Sequence, residues 1–245
     1  MRPQTAIRQL DPSVLERTLE RARSGGARAV VVFDLDSTLL DNRPRQAVIL
    51  GEFGRARGVA ELAAVRPEHW DGWDIRRAMA NAGLAAADVE RLAEDAKAWW
   101  RDRFFTSEYC ALDEAIAGAR EFVTAVRGAG AQVAYCTGRH EAMRAGSEAC
   151  FRRLGFPLPG AASPPVHLLM KPTFEITDDA WKESAYERLR ALGEVVAVFD
   201  NEPTHVNGYR AAFPGALVVH LATDDSGRPV PLADGILSVR NFLAP

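Results

Sequence analysis

Val30-Val31-Val32-Phe33-Asp34-Leu35-Asp36-Ser37-Thr38-Leu39-Leu40-Asp41 is a β-branched apolar run that breaks off at two carboxylates one residue apart. An uninterrupted run of this kind predicts a strand buried on both faces, as in a parallel sheet covered by helices. Asp34 and Asp36 then fall at its carboxyl end, where open α/β sheets place their ligands. Two carboxylates so close repel each other unless a cation or a shared proton intervenes, and a hard, oxygen-loving ion such as Mg²⁺ suits them. An ordinary Asp-rich turn closing a strand is the bland alternative.

Moving outward, strand and helix alternate on both sides of a long exception. Asp11-Pro12 opens a helix to about Ser24, and Gly25-Gly26 closes it before the Asp34 strand. From Asn42 to about Leu112 the pattern is helical, roughly Pro44–Arg57, Asp74–Asn81 and Asp88–Phe105, and four of the five tryptophans lie there. That is too long for an ordinary connection within a sheet domain. It reads as a helical cap inserted after the first strand, spanning 43–110, with 1–42 and 111–245 forming the core domain. The alternation resumes with a helix over Asp113–Arg127 and a strand over Ala131–Cys136, then a helix over His140–Leu154. There follow a strand over Val166–Met170, a helix over Asp178–Leu192 and a strand from Glu194 that ends at Asp200. A helix over Pro203–Phe213 and a strand over Ala216–Leu221 complete it, and the stretch after Thr223 reads as loop. Alternation of this kind predicts a doubly wound parallel sheet of the α/β class.

Composition narrows the function classes. At 245 residues with 47% hydrophobic content, the chain can bury a sizeable core. A net charge of −3 gives no sign of a nucleic-acid partner, and no apolar stretch reaches the length of a membrane span. Met1–Leu10, with Arg2 and Arg8 and no apolar centre, does not read as a secretory leader. Three scattered cysteines, Cys110, Cys136 and Cys150, argue against a disulfide framework and fit a cytoplasmic location. No residue pattern speaks to oligomeric state.

Three apolar strands end in polar groups, at Asp34/Asp36, Thr137 and Asp200, and a parallel sheet sets such ends side by side. On these residues the chain resembles the haloacid dehalogenase-like (HAD) hydrolase superfamily, whose members are mostly phosphatases. The family's first motif is matched by Asp34-Leu35-Asp36-Ser37-Thr38, its second by Thr137 in Cys136-Thr137-Gly138-Arg139, and its fourth by Asp200-Asn201-Glu202. The motif lysine is best matched by Lys182, with Lys171 as the rival. The resemblance implies a HAD-like Rossmannoid core and a Mg²⁺-dependent phosphomonoester hydrolase for a small phosphorylated substrate. It further implies Asp34 as nucleophile forming an aspartyl-phosphate, and Asp36 as acid and base. Mg²⁺ would be held by Asp34, the backbone carbonyl of Asp36, and Asp200. Thr137, Gly138 and Arg139 would hold the phosphate at a helix amino end, and Lys182 would neutralise charge. A phosphomutase with the same residues, or a HAD-fold binding protein without catalysis, are the alternatives.

The fourth motif often carries two adjacent aspartates, and Asn201 departs from it. Glu202 reads foremost as an acidic first turn of a helix. Arg43 and Arg45 read as contacts to a charged substrate or as solvated arginines at a helix start, and Arg139 as a contact to substrate or to an acidic cap residue, or as a surface ion pair. Trp99 and Trp100 read as cap core, Trp70 and Trp73 as pocket wall, and His140 and His205 as crevice neighbours without an assigned role.

Overall fold

The computed structural model describes residues 10–243, so the reading of Met1–Leu10 lies outside the described residues except at Leu10. A first strand, β1 (Ala29–Phe33), is preceded by helix α1 (Ser13–Gly25) and is fully buried along its length. Its side chains alternate between two cores. Val31 and Phe33 join the cluster under α1, while Val30 and Val32 join the cluster on the opposite face. This is the period-two alternation of a strand with a core on each side. After β1 come the short β2 (Leu40–Asp41) and four helices: α2 (Arg43–Arg57), α3 (Ala60–Ala63), α4 (Ile75–Asn81) and α5 (Ala86–Phe104). The chain returns through β3 (Glu114–Ala115), which pairs antiparallel with β2, so the helical excursion leaves and re-enters through one two-stranded ladder.

The rest is α6 (Ala119–Gly128), β4 (Gln132–His140), α7 (Arg144–Leu154), β5 (Val166–Lys171), α8 (Asp178–Leu192), β6 (Glu194–Asp200), α9 (Pro203–Ala212), β7 (Leu217–Leu221) and β8 (Leu237–Val239). The main sheet is parallel with order β5-β4-β1-β6-β7-β8, and β1 lies between β4 and β6. Helices α1, α6 and α7 supply the core on one face, and α8 and α9 on the other. The sheet is therefore doubly wound, as the alternation of the sequence implies. Helices α2–α5 share a separate apolar cluster built on Leu50, Phe53, Leu62, Trp70 and Met79. Among the described residues, no helix is long and apolar enough to cross a membrane.

Three local readings change. Asp113–Arg127 is not one helix: Glu114 and Ala115 pair with β2, and α6 begins only after Gly118, whose φ of 77° is left-handed. A Cβ there would lie 2.6 Å from the Phe242 carbonyl, so the position needs glycine. Strand β4 does not stop at Cys136 but continues beside β5 to His140 across a register shift, and α7 starts at Arg144. The loop expected after Thr223 contains β8, whose three residues are too few for a periodic signal.

Phe33 stacks on Phe199 with ring centroids 5.2 Å apart and meets Phe122 edge-on at 6.2 Å. Because this cluster closes one core beneath the turn that follows β1, Phe33→Ala is expected to cost about 3–5 kcal/mol in denaturant unfolding. A loss below about 1 kcal/mol would show that the ring cluster is not a central stabilising contact.

Candidate active site

At the end of β1 the backbone turns sharply. Ser37 has φ 59°, an uncommon left-handed conformation for a residue with a side chain. Its N–H donates to Leu40 O at 2.8 Å, and its carbonyl accepts from the Thr223 hydroxyl. The turn leaves Asp34 and Asp36 at the sheet's carboxyl edge.

Asp34 is 7% exposed and accepts from Lys182 Nζ at 2.7 Å. The same ammonium donates to Asp200 Oδ2 at 2.9 Å and to the Cys136 carbonyl at 2.6 Å. One cation on α8 thus ties together the ends of β1 and β6 and the middle of β4. Asp200 Oδ1 accepts from the Glu202 N–H at 2.9 Å, with His205 Nδ1 3.5 Å away. Burial pushes the Asp34 carboxyl up. Lys182 opposes that, but Asp200 and Asp36 add to it, and the result is a pKa of about 7. Burial also works against ionised Asp200, but Lys182 and His205 outweigh it and hold that group below the usual carboxylate range.

Asp36 belongs to a different cluster. Arg139 donates to both of its oxygens, at 2.9 Å from Nε and 2.6 Å from a terminal nitrogen. Arg45 donates to it at 2.9 Å, and so does the Asn42 amide at 2.8 Å. Behind them Asp113, wholly buried, pairs with Arg45 Nε at 2.9 Å and with Arg139 at 2.5 Å. Two carboxylates and two guanidiniums make this cluster neutral. Burial favours the neutral acid at Asp36, yet the Arg139 guanidinium, aided by Arg45 and Asn42, brings its pKa down to about 2.

Other expected site residues fall variously. Thr137 is fully buried, and its hydroxyl accepts from the Arg139 N–H at 3.2 Å while its carbonyl accepts from Trp181 Nε1 at 2.8 Å. No helix begins directly after it, because β4 continues, so the expected helix-end anion site at this point is absent. Gly138 and Arg139 line a cavity of about 370 Å³ together with Asp34, Asp36, Lys182, Asn201 and His205. A Cβ on Gly138 would stand 2.6 Å from Asp178 Oδ2, so glycine lets that carboxylate close in. Lys171 is remote from Asp34 in its bonding: its ammonium is held by Asp178 at 2.7 Å.

Several surface readings give way to buried contacts. Arg43 pairs with Asp41 at the surface, but Arg45 is 0% exposed and packs 3.8 Å over the Phe104 ring. Arg139 is neither a surface pair nor a contact to an acid of the helical segment. Asn201 donates to the Asp224 carbonyl at 2.6 Å and accepts from the Thr38 hydroxyl at 3.2 Å, and an aspartate there would set an anion against that carbonyl. Glu202 precedes α9 without capping it and holds Ser226 and Arg228 of the following loop. His205 bonds Asp179 at 2.9 Å, while His140 lies edge-on to Phe174. Trp73 and Trp100 line the cavity, whereas Trp70 belongs to the α2–α5 core and Trp99 packs on Phe53. Sequence reasoning misses Asn42, Asp113 and Arg228, none of which sits in a motif or a periodic pattern.

The chemistry of the donors fits a divalent ion. Asp34 and Asp200 are hard oxygen ligands that share one lysine, which leaves one negative charge in excess. Among the described residues no group of three or more His, Cys, Asp or Glu side chains is placed to hold a metal ion. Mg²⁺ commonly uses one or two carboxylates and completes its shell with water and phosphate oxygens, so two suffice.

A carboxyl whose folded pKa exceeds its unfolded value binds its proton more tightly when folded. Asp34, raised from 3.8 to about 7, therefore removes stability as pH rises through that interval. Asp36, lowered to about 2, acts in the other sense and in a lower window, its contribution disappearing as pH falls from 3.8 towards 2. With divalent ions chelated, unfolding free energy is expected to drop by a few kcal/mol between roughly pH 4 and pH 8. Asp34→Asn should flatten that drop, and Mg²⁺ should restore wild-type stability at pH 8. A variant profile parallel to wild type would assign the titration to another group.

The family model for haloacid dehalogenase-like hydrolases matches residues 29–243. No curated protein matches the chain by sequence. The fold is similar to that of protein tyrosine kinase A from Mycobacterium tuberculosis, at 18% identity, TM-score 0.52, covering 87% of this chain and 94% of that one. It is also similar to a HAD-superfamily hydrolase of subfamily IA from Geobacter sulfurreducens, at 14% identity and TM-score 0.48, covering 89% and 94%. A class C acid phosphatase from Bacillus anthracis with tungstate bound aligns at 19% identity and TM-score 0.44, covering 79% of this chain. The alignment spans 61% of that phosphatase's length. With the family model spanning the sheet and every residue around Asp34, the chain belongs to the haloacid dehalogenase-like hydrolases.

Proposed function

We propose that this hydrolase is a Mg²⁺-dependent phosphomonoester hydrolase that works through an aspartyl-phosphate on Asp34, with residues 43–110 as a cap over a small substrate. One observation carries the reading: the buried Asp34 carboxylate borders a small cavity and is held at 2.7 Å by Lys182. A carboxylate so placed is a nucleophile for phosphorus, since the acyl phosphate it forms is readily cleaved by water.

In the first step an oxygen of Asp34 bonds to phosphorus as the ester oxygen departs. Lys182 offsets the charge of the attacking carboxylate and of the phosphoryl oxygens. Arg139, Gly138 and the backbone beyond Thr137 receive the phosphate. Asp36, protonated as the substrate monoanion enters, gives that proton to the departing ester oxygen, and afterwards takes one from the water that attacks the aspartyl-phosphate, breaking the phosphorus–oxygen bond to Asp34 and releasing phosphate. Arg139 and Arg45 hold Asp36 ionised in this state. Proton donation therefore requires the guanidiniums to loosen, and an incoming phosphate, a competing anion beside Arg139, supplies the means. Asp34, the Asp36 carbonyl and Asp200 would hold Mg²⁺, which when bound offsets phosphoryl charge and orients the group. Dehalogenases share the fold, but halide loss needs no acid such as Asp36.

Phosphate release from p-nitrophenyl phosphate tests the reading. Release should require Mg²⁺ and be abolished in Asp34→Asn. Lys182→Ala should lower kcat at least about 10²-fold, while Lys171→Ala changes it by no more than a few-fold. Phosphate release at wild-type rate by Asp34→Asn would remove the nucleophile from the account.

A further inference from the structure

The helical segment contributes only aromatic rings to the cavity: Trp73, Trp100, Phe104 and Phe105. They form one continuous set. Trp100 stacks on Phe104 at 4.5 Å, Trp73 meets Phe104 edge-on at 5.3 Å, and Phe105 meets Phe104 edge-on at 5.2 Å. Phe104 is fixed from behind by the Arg45 guanidinium and is 3% exposed. Trp73, Trp100 and Phe105 remain only half-buried, so part of each ring is open to an occupant.

The polar wall is already engaged. Asp178 holds Lys171, Glu202 holds Ser226 and Arg228, and His205 holds Asp179. Asn201 spends its amide on Thr38 and Asp224. A leaving group rich in hydroxyls would lose water here and find few free partners, which is costly. A flat ring would lose little on entering and would gain stacked and edge-on contacts. At about 370 Å³ the cavity lies near the low end of small-ligand pockets, about 300–1,000 Å³, with room for a phosphate and a compact ring system.

We infer that the ester taken by this site carries a flat aromatic group on its alcohol side, an aryl or arylmethyl phosphate, and that Trp73 and Trp100 select it over sugar and polyol phosphates. This rests on the phosphatase reading above. If it holds, the reaction feeding the site is phosphorylation of an aromatic alcohol, and its product is that alcohol and phosphate.

Benzyl phosphate and ethyl phosphate test the selection, because both release a primary alcohol and differ in the ring. Wild type should show kcat/KM at least about tenfold higher for benzyl phosphate, the size of one aromatic stacking contact. Glucose 6-phosphate should fall with or below ethyl phosphate. In Trp100→Leu and Trp73→Leu, which keep apolar bulk but lose the flat ring, the benzyl-to-ethyl ratio should fall several-fold, with circular dichroism checking the fold. Benzylphosphonate and ethylphosphonate, which are not hydrolysed, are compared by calorimetry in parallel, and the benzyl compound should bind tighter to wild type and to Asp34→Asn. Equal turnover of the two esters with equal phosphonate binding would overturn the inference and leave the phosphatase reading standing. No turnover of any ester, with benzylphosphonate still preferred through Trp73 and Trp100, would overturn the phosphatase reading and keep the aromatic selection. A sugar phosphate turned over faster than benzyl phosphate would overturn the inference outright.

Discussion

A single buried ammonium organises the carboxyl edge of this sheet. Lys182 is shared by Asp34 and Asp200 and capped by the Cys136 carbonyl, so three neighbouring strands converge on one charge. Buried ion pairs of this kind are poor sources of net stability, because desolvation offsets much of the attraction. Two carboxylates against one lysine is less favourable still, and burial, aided by the neighbouring Asp200 and Asp36, raises the pKa of Asp34. An arrangement that costs stability at a cavity wall is what a reacting site looks like. The rest of the architecture supports it: β1 sits mid-sheet with a core on each face, so Asp34 follows a strand that is buried along its whole length.

Beside this charged triad lies a neutral quartet with a different task. Arg45 comes from the first turns of α2, Asp113 from the return of the helical segment, Arg139 from β4 and Asp36 from the β1 turn. Four charges from four chain segments neutralise one another, three of them buried and Asp36 facing the cavity. Loss of one member would strand its partners, which is far more costly than the pair is worth. The quartet therefore joins the place where the helical segment begins and ends to the carboxylate proposed to move protons. The aromatic set is anchored to it as well, through Arg45 against Phe104. Arg45 thus touches both the aromatic set and Asp36.

Much of this was legible in the chain, for identifiable reasons. Apolar runs that meet polar residues at Asp34, Thr137 and Asp200 state the strands, though β4 continues past Thr137 to His140, and a parallel sheet makes their convergence a matter of topology. Lys182 was legible because its helix feeds the Asp200 strand. The quartet was not. A buried arginine has the same sequence signature as a solvated one, and Asp113 gains its meaning only when Arg45 and Arg139 meet it. Asp113–Gly118 reads as helix because its local propensities favour one, and pairing of Glu114 and Ala115 with β2 overrides them. The tryptophans were largely legible: Trp99 packs inward, Trp73 lines the cavity and Trp100 packs against the α2–α5 core while also reaching the cavity, but Trp70, expected at a pocket wall, is buried in that core. Which side of a helix faces a neighbour is set by packing that no single helix specifies.

The claim on which the account turns is covalent participation of Asp34. Acid quenching during turnover of an ester with Mg²⁺, followed by borohydride reduction and peptide mass spectrometry, reads it directly. An aspartyl-phosphate is reduced to homoserine, so the account predicts homoserine at position 34 and at no other aspartate. Homoserine at Asp36 or Asp200, or phosphate release at full rate with Asp34 unreduced, would contradict it.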